Sequence, residues 1–353
     1  MDQYLPALEG KSIALLINHT SLVGQTHLLD TLLASGVDVI KIFAPEHGFR
    51  GDLANGEQVN DGFDQKTGLP LISLYGKNKK PSKEQLEDID LVIYDIQDVG
   101  ARFYTYISSM HYMMEACAEN GISFLLLDRP NPNAHYIDGP VLDPAHASFV
   151  GVHPIPIVYG MTVGELASMI KGENWINGSE TLDFNIVALK NWTRDSSYTL
   201  PISPSPNLPN AQSIALYPSL CLFEGTNVSM GRGTDFPFQA VGYPDPNFGD
   251  FEFKPRSIPK VSKYPPHKNK TCYGYDLRSV SPPNKIRLSY LIDFYQKANN
   301  KEDFFNAFFT NLSGTSELRK QIEDGWTEEE IRTSWQADIK KFKSKREAYL
   351  IYK

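Results

Sequence analysis

Glu46, His47 and Arg50 fall within five residues of one another in the run Pro45-Glu46-His47-Gly48-Phe49-Arg50-Gly51. One loop can therefore turn a carboxyl, an imidazole and a guanidinium toward the same point. A carboxyl in that company suits proton transfer, and a guanidinium suits holding an anion. The plainer alternative makes Pro45-Glu46 the start of a helix or turn, with Arg50 as a structural ion-pair partner. Further polar clusters favour the functional reading, because loops from several strand ends can meet in one cleft.

The second cluster is Asp95-Ile96-Gln97-Asp98-Val99-Gly100-Ala101-Arg102-Phe103-Tyr104-Thr105-Tyr106. Asp95 and Asp98 are candidates there for reacting carboxyls, metal ligands or helix caps. A helix N-terminus beside Arg102 would favour an anion, and Tyr104 and Tyr106 can bind sugar hydroxyls or pack. In the third cluster, Asp128-Arg129-Pro130-Asn131-Pro132-Asn133, prolines stiffen the loop around Asn131. The fourth, Phe223-Glu224-Gly225-Thr226-Asn227-Val228-Ser229-Met230-Gly231-Arg232-Gly233-Thr234, sets Glu224, Asn227 and Arg232 on a glycine-rich backbone that could close a cleft from its other side.

Several other chemistries lack their motifs. The turn Asn18-His19-Thr20-Ser21-Leu22-Val23-Gly24 has no G-x-G-x-x-G for a dinucleotide, and the chain holds neither a P-loop nor a G-x-S-x-G elbow. His19, His47, His135 and His153 have no metal-ligand spacing, although His47 gains from its neighbour Glu46. Cys117, Cys221 and Cys272 form no Cys-x-x-Cys pair.

Groups so far apart in sequence need a rigid frame to converge. Apolar runs at residues 11–18, 37–43, 69–74, 91–96 and 123–127 have the length of strands buried on both faces. Helical stretches at 26–35 and 103–119, ended by Gly36 and by Asn120-Gly121, alternate with them. Strand alternating with helix predicts a parallel, doubly wound α/β sheet with its strand ends on one edge. Further on, Thr162 with Glu165 predicts a capping box, residues 183–189 a strand, and residues 289–298, 301–310 and 327–341 helices, the last capped by Thr327 with Glu330. Four prolines in residues 200–209 exclude helix and central strand alike. They place a domain boundary there, between residues 1–200 and a smaller part, 201–353. Residues 236–266, where prolines and aromatics alternate, read as irregular.

A chain of 353 residues with 41% apolar and 22% charged composition is globular and long enough for two domains. A net charge of −8 supplies no basic field for polyphosphate, so nucleic acid is not an expected partner. No apolar run approaches the roughly 20 residues that cross a bilayer, and Met1-Asp2-Gln3-Tyr4 does not open a signal peptide.

In this order, the four clusters, with Tyr159-Gly160-Met161-Thr162 and the proline-rich boundary, resemble the bacterial exo-β-N-acetylmuramidase family, long catalogued as a domain of unknown function. The resemblance covers nearly the whole chain. It implies a Rossmann-like N-terminal domain with a mostly parallel sheet, a smaller α/β domain and an active site in the cleft between them. It also implies release of terminal N-acetylmuramic acid from the non-reducing end of peptidoglycan fragments, with no metal or nucleotide cofactor, in a periplasm or outside the cell. Glu46 becomes the leading catalytic carboxylate, acting as general acid. Glu224, Asp98 and Asp95 are candidates for the second group, as is the substrate's own N-acetyl group. Muramic acid differs from glucosamine by a lactyl carboxylate, and Arg102, Arg232 and Arg129 are the candidate cations for it. Two other readings stand beside this one: a glycosidase for another amino sugar or acidic glycoside, and a cell-wall glycan-binding protein without catalysis.

Overall fold

A computed structural model of the chain describes residues 1–46, 48–49 and 61–353. Strands β1 (Ile13–Ile17), β4 (Val39–Ala44), β5 (Gly62–Phe63), β6 (Pro70–Ser73), β7 (Leu91–Asp95), β8 (Ser123–Leu127) and β9 (Phe184–Val187) form one seven-stranded sheet, while β2 (Leu22–Val23) and β3 (Thr26–His27) make a separate small ribbon. The sheet order is β5-β6-β4-β1-β7-β8-β9. Every pairing is parallel except that of β5, which runs antiparallel along the edge strand β6. With β5 set aside, the parallel strands stand in the order 3-2-1-4-5-6 of a Rossmann sheet.

The unbroken apolar runs follow from burial on both faces. On β1, Ala14 and Leu16 join the larger core with Met110 and Met113 of α2 (Tyr106–Asn120). Ile13, Leu15 and Ile17 join Leu28, Leu29 and Leu32 of α1 (Leu28–Ala34) on the opposite face. Helix α2 stops at Gly121, whose φ of 69° suits the left-handed cap. Helix α3 (Val163–Gly172) opens with the Thr162–Glu165 capping box that its sequence predicts.

The second part of the chain is less regular. Helix α4 (Ala211–Leu220) leads to a three-stranded antiparallel sheet of β10 (Ala240–Tyr243), β11 (Phe251–Phe253) and β12 (Cys272–Asp276), in the order β10-β12-β11. Helices α5 (Ser289–Lys297), α6 (Phe308–Ser313), α7 (Glu317–Glu323), α8 (Glu328–Ser334) and α9 (Gln336–Arg346) follow. Two expected helices differ from those found. The expected helix at 301–310 forms only from Phe308, because Phe304 and Phe305 turn into the core and Phe305 bridges to Thr226. The single helix expected at 327–341 breaks at Trp335, which is buried between α8 and α9. The Thr327–Glu330 capping box at its start is present.

Two features decide where a ligand can sit. The first is that one buried cluster runs without interruption from β1, α2 and α3 through α4 to α5 and α9, so the two parts share a core. Arg102 is fully buried at that junction and donates to four carbonyls, those of Pro140 (2.8 Å), Ile155 (2.6 Å), Leu312 (3.1 Å) and Ser313 (2.6 Å). The second concerns the crevice between β1 and β7, where the strand order reverses and Rossmann sheets take their nucleotides. Here it is closed by the chain itself. Asn18 Oδ1 accepts from the Thr20 N–H (2.9 Å) and hydroxyl (2.6 Å), Thr20 Oγ1 accepts from the Gln97 N–H (3.0 Å), and the Ser21 hydroxyl donates to the Asp95 carbonyl.

Candidate active site

The open end of the sheet lies to one side of that closed crevice, beyond β4, β6 and β7. Glu46 follows β4, Tyr75 follows β6, and Tyr104, Thr105 and Tyr106 lead from β7 into α2. All of them line one cavity of about 240 Å³. The facing wall comes from later in the chain: Ser205, Asn207 and Leu208 of the proline-rich stretch, Glu224, Arg232, Phe238, and Phe308 and Leu312 of α6. The volume is smaller than the roughly 300–1,000 Å³ of sites for drug-sized ligands and matches a single sugar ring better than an extended chain.

Glu46 is held from two sides. Thr105 Oγ1 donates to its Oε2 at 3.0 Å, and the Tyr75 hydroxyl lies on its other side, close enough to feel its charge. The Tyr106 hydroxyl reaches its backbone carbonyl at 3.5 Å. Burial and the Glu46 carboxylate push the Tyr75 phenol well above its ordinary range, so Tyr75 remains a donor. Opposite, both Nε (3.0 Å) and Nη2 (2.5 Å) of Arg232 bond Glu224 Oε1. Burial alone would lower the Arg232 pKa, and the Glu224 carboxylate outweighs it and raises it. The guanidinium also lies over the Phe238 ring, 4.9 Å from its centroid, and Nη1 has no protein acceptor among the described residues. Gly231 and Gly233, with φ of 82° and 80°, give the loop turns that a β-branched residue would resist. Cys221 also lines the cavity, but burial raises its thiol well above the ordinary value and removes it as a thiolate nucleophile.

The structure thus brings Glu46, Tyr104, Tyr106, Glu224 and Arg232 together. The other candidates that the structure describes lie elsewhere. Asp95 and Arg129 satisfy one another as a two-pronged ion pair, at 2.5 and 2.8 Å. Arg102 is taken up by the carbonyls named above. Asn131 donates to the Met161 carbonyl (2.7 Å) and accepts from the Asn133 N–H (2.8 Å), packed so closely on Gly100 that a Cβ there would meet its Oδ1 at 2.2 Å. The Asn227 backbone bonds Phe304 and His267. His47 and Arg50 lie outside the described residues. No three His, Cys, Asp or Glu side chains among the described residues are grouped to hold a metal ion.

Asp98 is buried away from the cavity lining, accepting from the Gly100 N–H (2.6 Å) and from the Tyr159 hydroxyl. Burial pushes its pKa up to about 6, with the Tyr159 and Gly100 bonds pulling the other way. The folded protein therefore keeps a proton that the unfolded chain has already released. Asp98's contribution to stability is full below about pH 4 and is lost as pH rises through 6. Relative to the parent, Asp98→Asn should gain about 1–2 kcal/mol in urea unfolding between pH 5 and pH 7. Asp128, also raised to about 6 by burial, cancels in this comparison because both proteins carry it. A difference that does not change with pH would assign Asp98 an ordinary carboxylate.

Thr105, Tyr75 and Asn207 are among the cavity residues that the sequence does not mark as candidates. Thr105 sits between two candidate tyrosines, and Tyr75 ends a strand run just as Glu46 does, so the strand-end rule selects it as well. Asn207 lies among the prolines that mark the expected domain boundary, a setting similar to that of Asn131.

Carboxylates around a sugar-sized, aromatic-walled cavity are the working parts of glycoside hydrolysis, and the comparisons with known proteins give the same class. Residues 13–212 match the family model for the exo-β-N-acetylmuramidase NamZ N-terminal domain, and residues 215–352 match that for its C-terminal domain. The peptidoglycan β-N-acetylmuramidase NamZ of Bacillus subtilis (strain 168) is 39% identical over 384 aligned positions, covering all of this chain and 89% of that protein. Crystal structures of two DUF1343 family proteins from Bacteroides fragilis also match the whole chain and 97% of each of theirs, one at 49% identity with a TM-score of 0.93, the other at 30% with 0.84. The chain belongs to the exo-β-N-acetylmuramidase NamZ family of glycoside hydrolases.

Proposed function

We propose that the protein removes the terminal, non-reducing N-acetylmuramic acid from peptidoglycan fragments by hydrolysing its β-glycosidic bond. The observation that carries this reading is the cavity of single-sugar size onto which both Glu46 and Arg232 open. Glu46 protonates the departing glycosidic oxygen, with the Thr105 hydroxyl holding its carboxyl in place. Glu224 is the second carboxylate of the cavity and supplies the other half of the reaction, as nucleophile or as base for water. Arg232 is the only arginine of the three candidates that lines the cavity among the described residues, and its Nη1 takes the lactyl carboxylate. Such a substrate would put the protein in the periplasm or outside the cell, which fractionation against a periplasmic marker enzyme checks.

The test is release of a chromogenic leaving group from β-linked N-acetylmuramic acid and from its N-acetylglucosamine analogue. Only the muramic compound should turn over. Arg232→Met should reduce the preference between the two by roughly 10- to 100-fold, because a site built to bond a carboxylate loses its discrimination with the donor. Equal turnover of both compounds by the parent would point to a different amino sugar. Folded protein that acts on neither would make it a glycan-binding protein.

A further inference from the structure

The proline-rich stretch does more than connect the two parts. Asn207 is 1% exposed, and its side chain is held at one end: Nδ2 donates to the Val261 carbonyl at 2.9 Å. That bond fixes which way the amide faces, since a carbonyl accepts only from its NH₂ end. The other end, Oδ1, has no hydrogen-bond partner among the described residues, and Asn207 lines the cavity. Buried acceptors without donors are costly to a fold. One that persists beside a cavity points to a donor that arrives with the ligand.

The surroundings of Asn207 say where on the sugar that donor lies. On one side the stretch is tied to Glu46. The Pro204 carbonyl accepts from the Tyr104 hydroxyl at 2.7 Å, Tyr104 packs edge-on to Tyr106 with centroids 4.9 Å apart, and Tyr106 reaches the Glu46 carbonyl. On the other side it is tied to the Arg232 loop. The segment that carries Val261 packs on Gly233, where a Cβ would lie 2.6 Å from Pro265 Cγ. Asn207 therefore shares the cavity with, and is linked through its own segment to, both the group assigned to the glycosidic oxygen on C1 and the loop of the group assigned to the lactyl carboxylate on C3. The substituent between those carbons is the acetamide on C2. Its N–H is a donor, whereas the lactyl carboxylate offers only acceptors.

We propose that Asn207 Oδ1 accepts a hydrogen bond from the 2-acetamido N–H of the terminal sugar, making Asn207 a determinant of amino-sugar specificity. This rests on the muramidase reading above. The experiment compares parent and Asn207→Leu on two chromogenic β-glycosides: that of N-acetylmuramic acid, and its 2-deoxy counterpart, which keeps the lactyl group and lacks the acetamide. On the N-acetyl compound the variant should lose about 10- to 100-fold in kcat/KM. On the 2-deoxy compound it should stay within about twofold of the parent. If Asn207→Leu does not fold, Asn207→Ser, whose hydroxyl falls short of the sugar, answers the same question. An equal loss on both compounds would overturn the proposal and leave Asn207 as a strut for the Val261 segment. Parent protein that turns over neither compound would remove the muramidase reading itself, a result distinct from a variant that fails to discriminate.

Discussion

Glu46→Gln should lower kcat on a disaccharide with terminal N-acetylmuramic acid by about 10²- to 10⁴-fold, with little change in stability. The substitution keeps an oxygen to accept from Thr105, so the wall of the cavity stays in place. What it removes is the proton that an alkoxide leaving group needs. That gives the result a second dimension. An aryl glycoside whose leaving group departs as a stable phenolate depends far less on an acid, so the same variant should lose much less on it than on the disaccharide. Equal losses on both substrates would give Glu46 a role in the attack on the anomeric carbon instead. Undiminished activity on both would move the acid to another group.

Arg102→Met should cost about 3–5 kcal/mol of unfolding free energy, the largest effect on stability expected of any single change described above. Arg102 has no carboxylate partner and stands among carbonyl dipoles alone, and burial lowers its pKa to about 9. Methionine fills much of the same volume but leaves the carbonyls of Pro140, Leu312 and Ser313 without donors in a dry interior, while that of Ile155 keeps only the Leu142 N–H. Two of those carbonyls end α6, where a cation is favoured, and a Cβ at Gly314 would come within 2.5 Å of Arg102 Nη2. Urea unfolding of the variant measures the loss. A change below about 1 kcal/mol would mean that the buried charge costs nearly as much as its four bonds return.

Arg102 also marks where reading the sequence stopped working. The N-terminal sheet was legible because its strands are buried on both faces, and an apolar run such as residues 13–17 has little else it can be. The capping boxes at Thr162 and Thr327 were legible because the motif carries its own bonds. The strands of the second sheet were not. They are short, hold glycine at 242 and 274, and sit among prolines, so no alternation develops. Within the site, Glu46, Tyr104, Tyr106, Glu224 and Arg232 were found from residue type and placement at strand ends or in a glycine-rich loop. The same criteria also selected Asp95 and Arg129, which consume one another, and Arg102, which the backbone consumes. A side chain's type says what it is able to do, but the partner that claims it comes from a part of the chain that local reading does not connect.

The filled crevice between β1 and β7 has a consequence for how this scaffold came to be used. Thr20 and Ser21 occupy, with their own hydroxyls, the position where a Rossmann sheet would present bare amides to a pyrophosphate. A nucleotide would have to break those bonds before making any of its own. The candidate site lies sideways along the same edge, at the ends of β4 and β6, where it shares the rigidity of the sheet without a nucleotide. On a column of immobilised nucleotide or nucleotide-mimicking dye, the protein should run with the void volume.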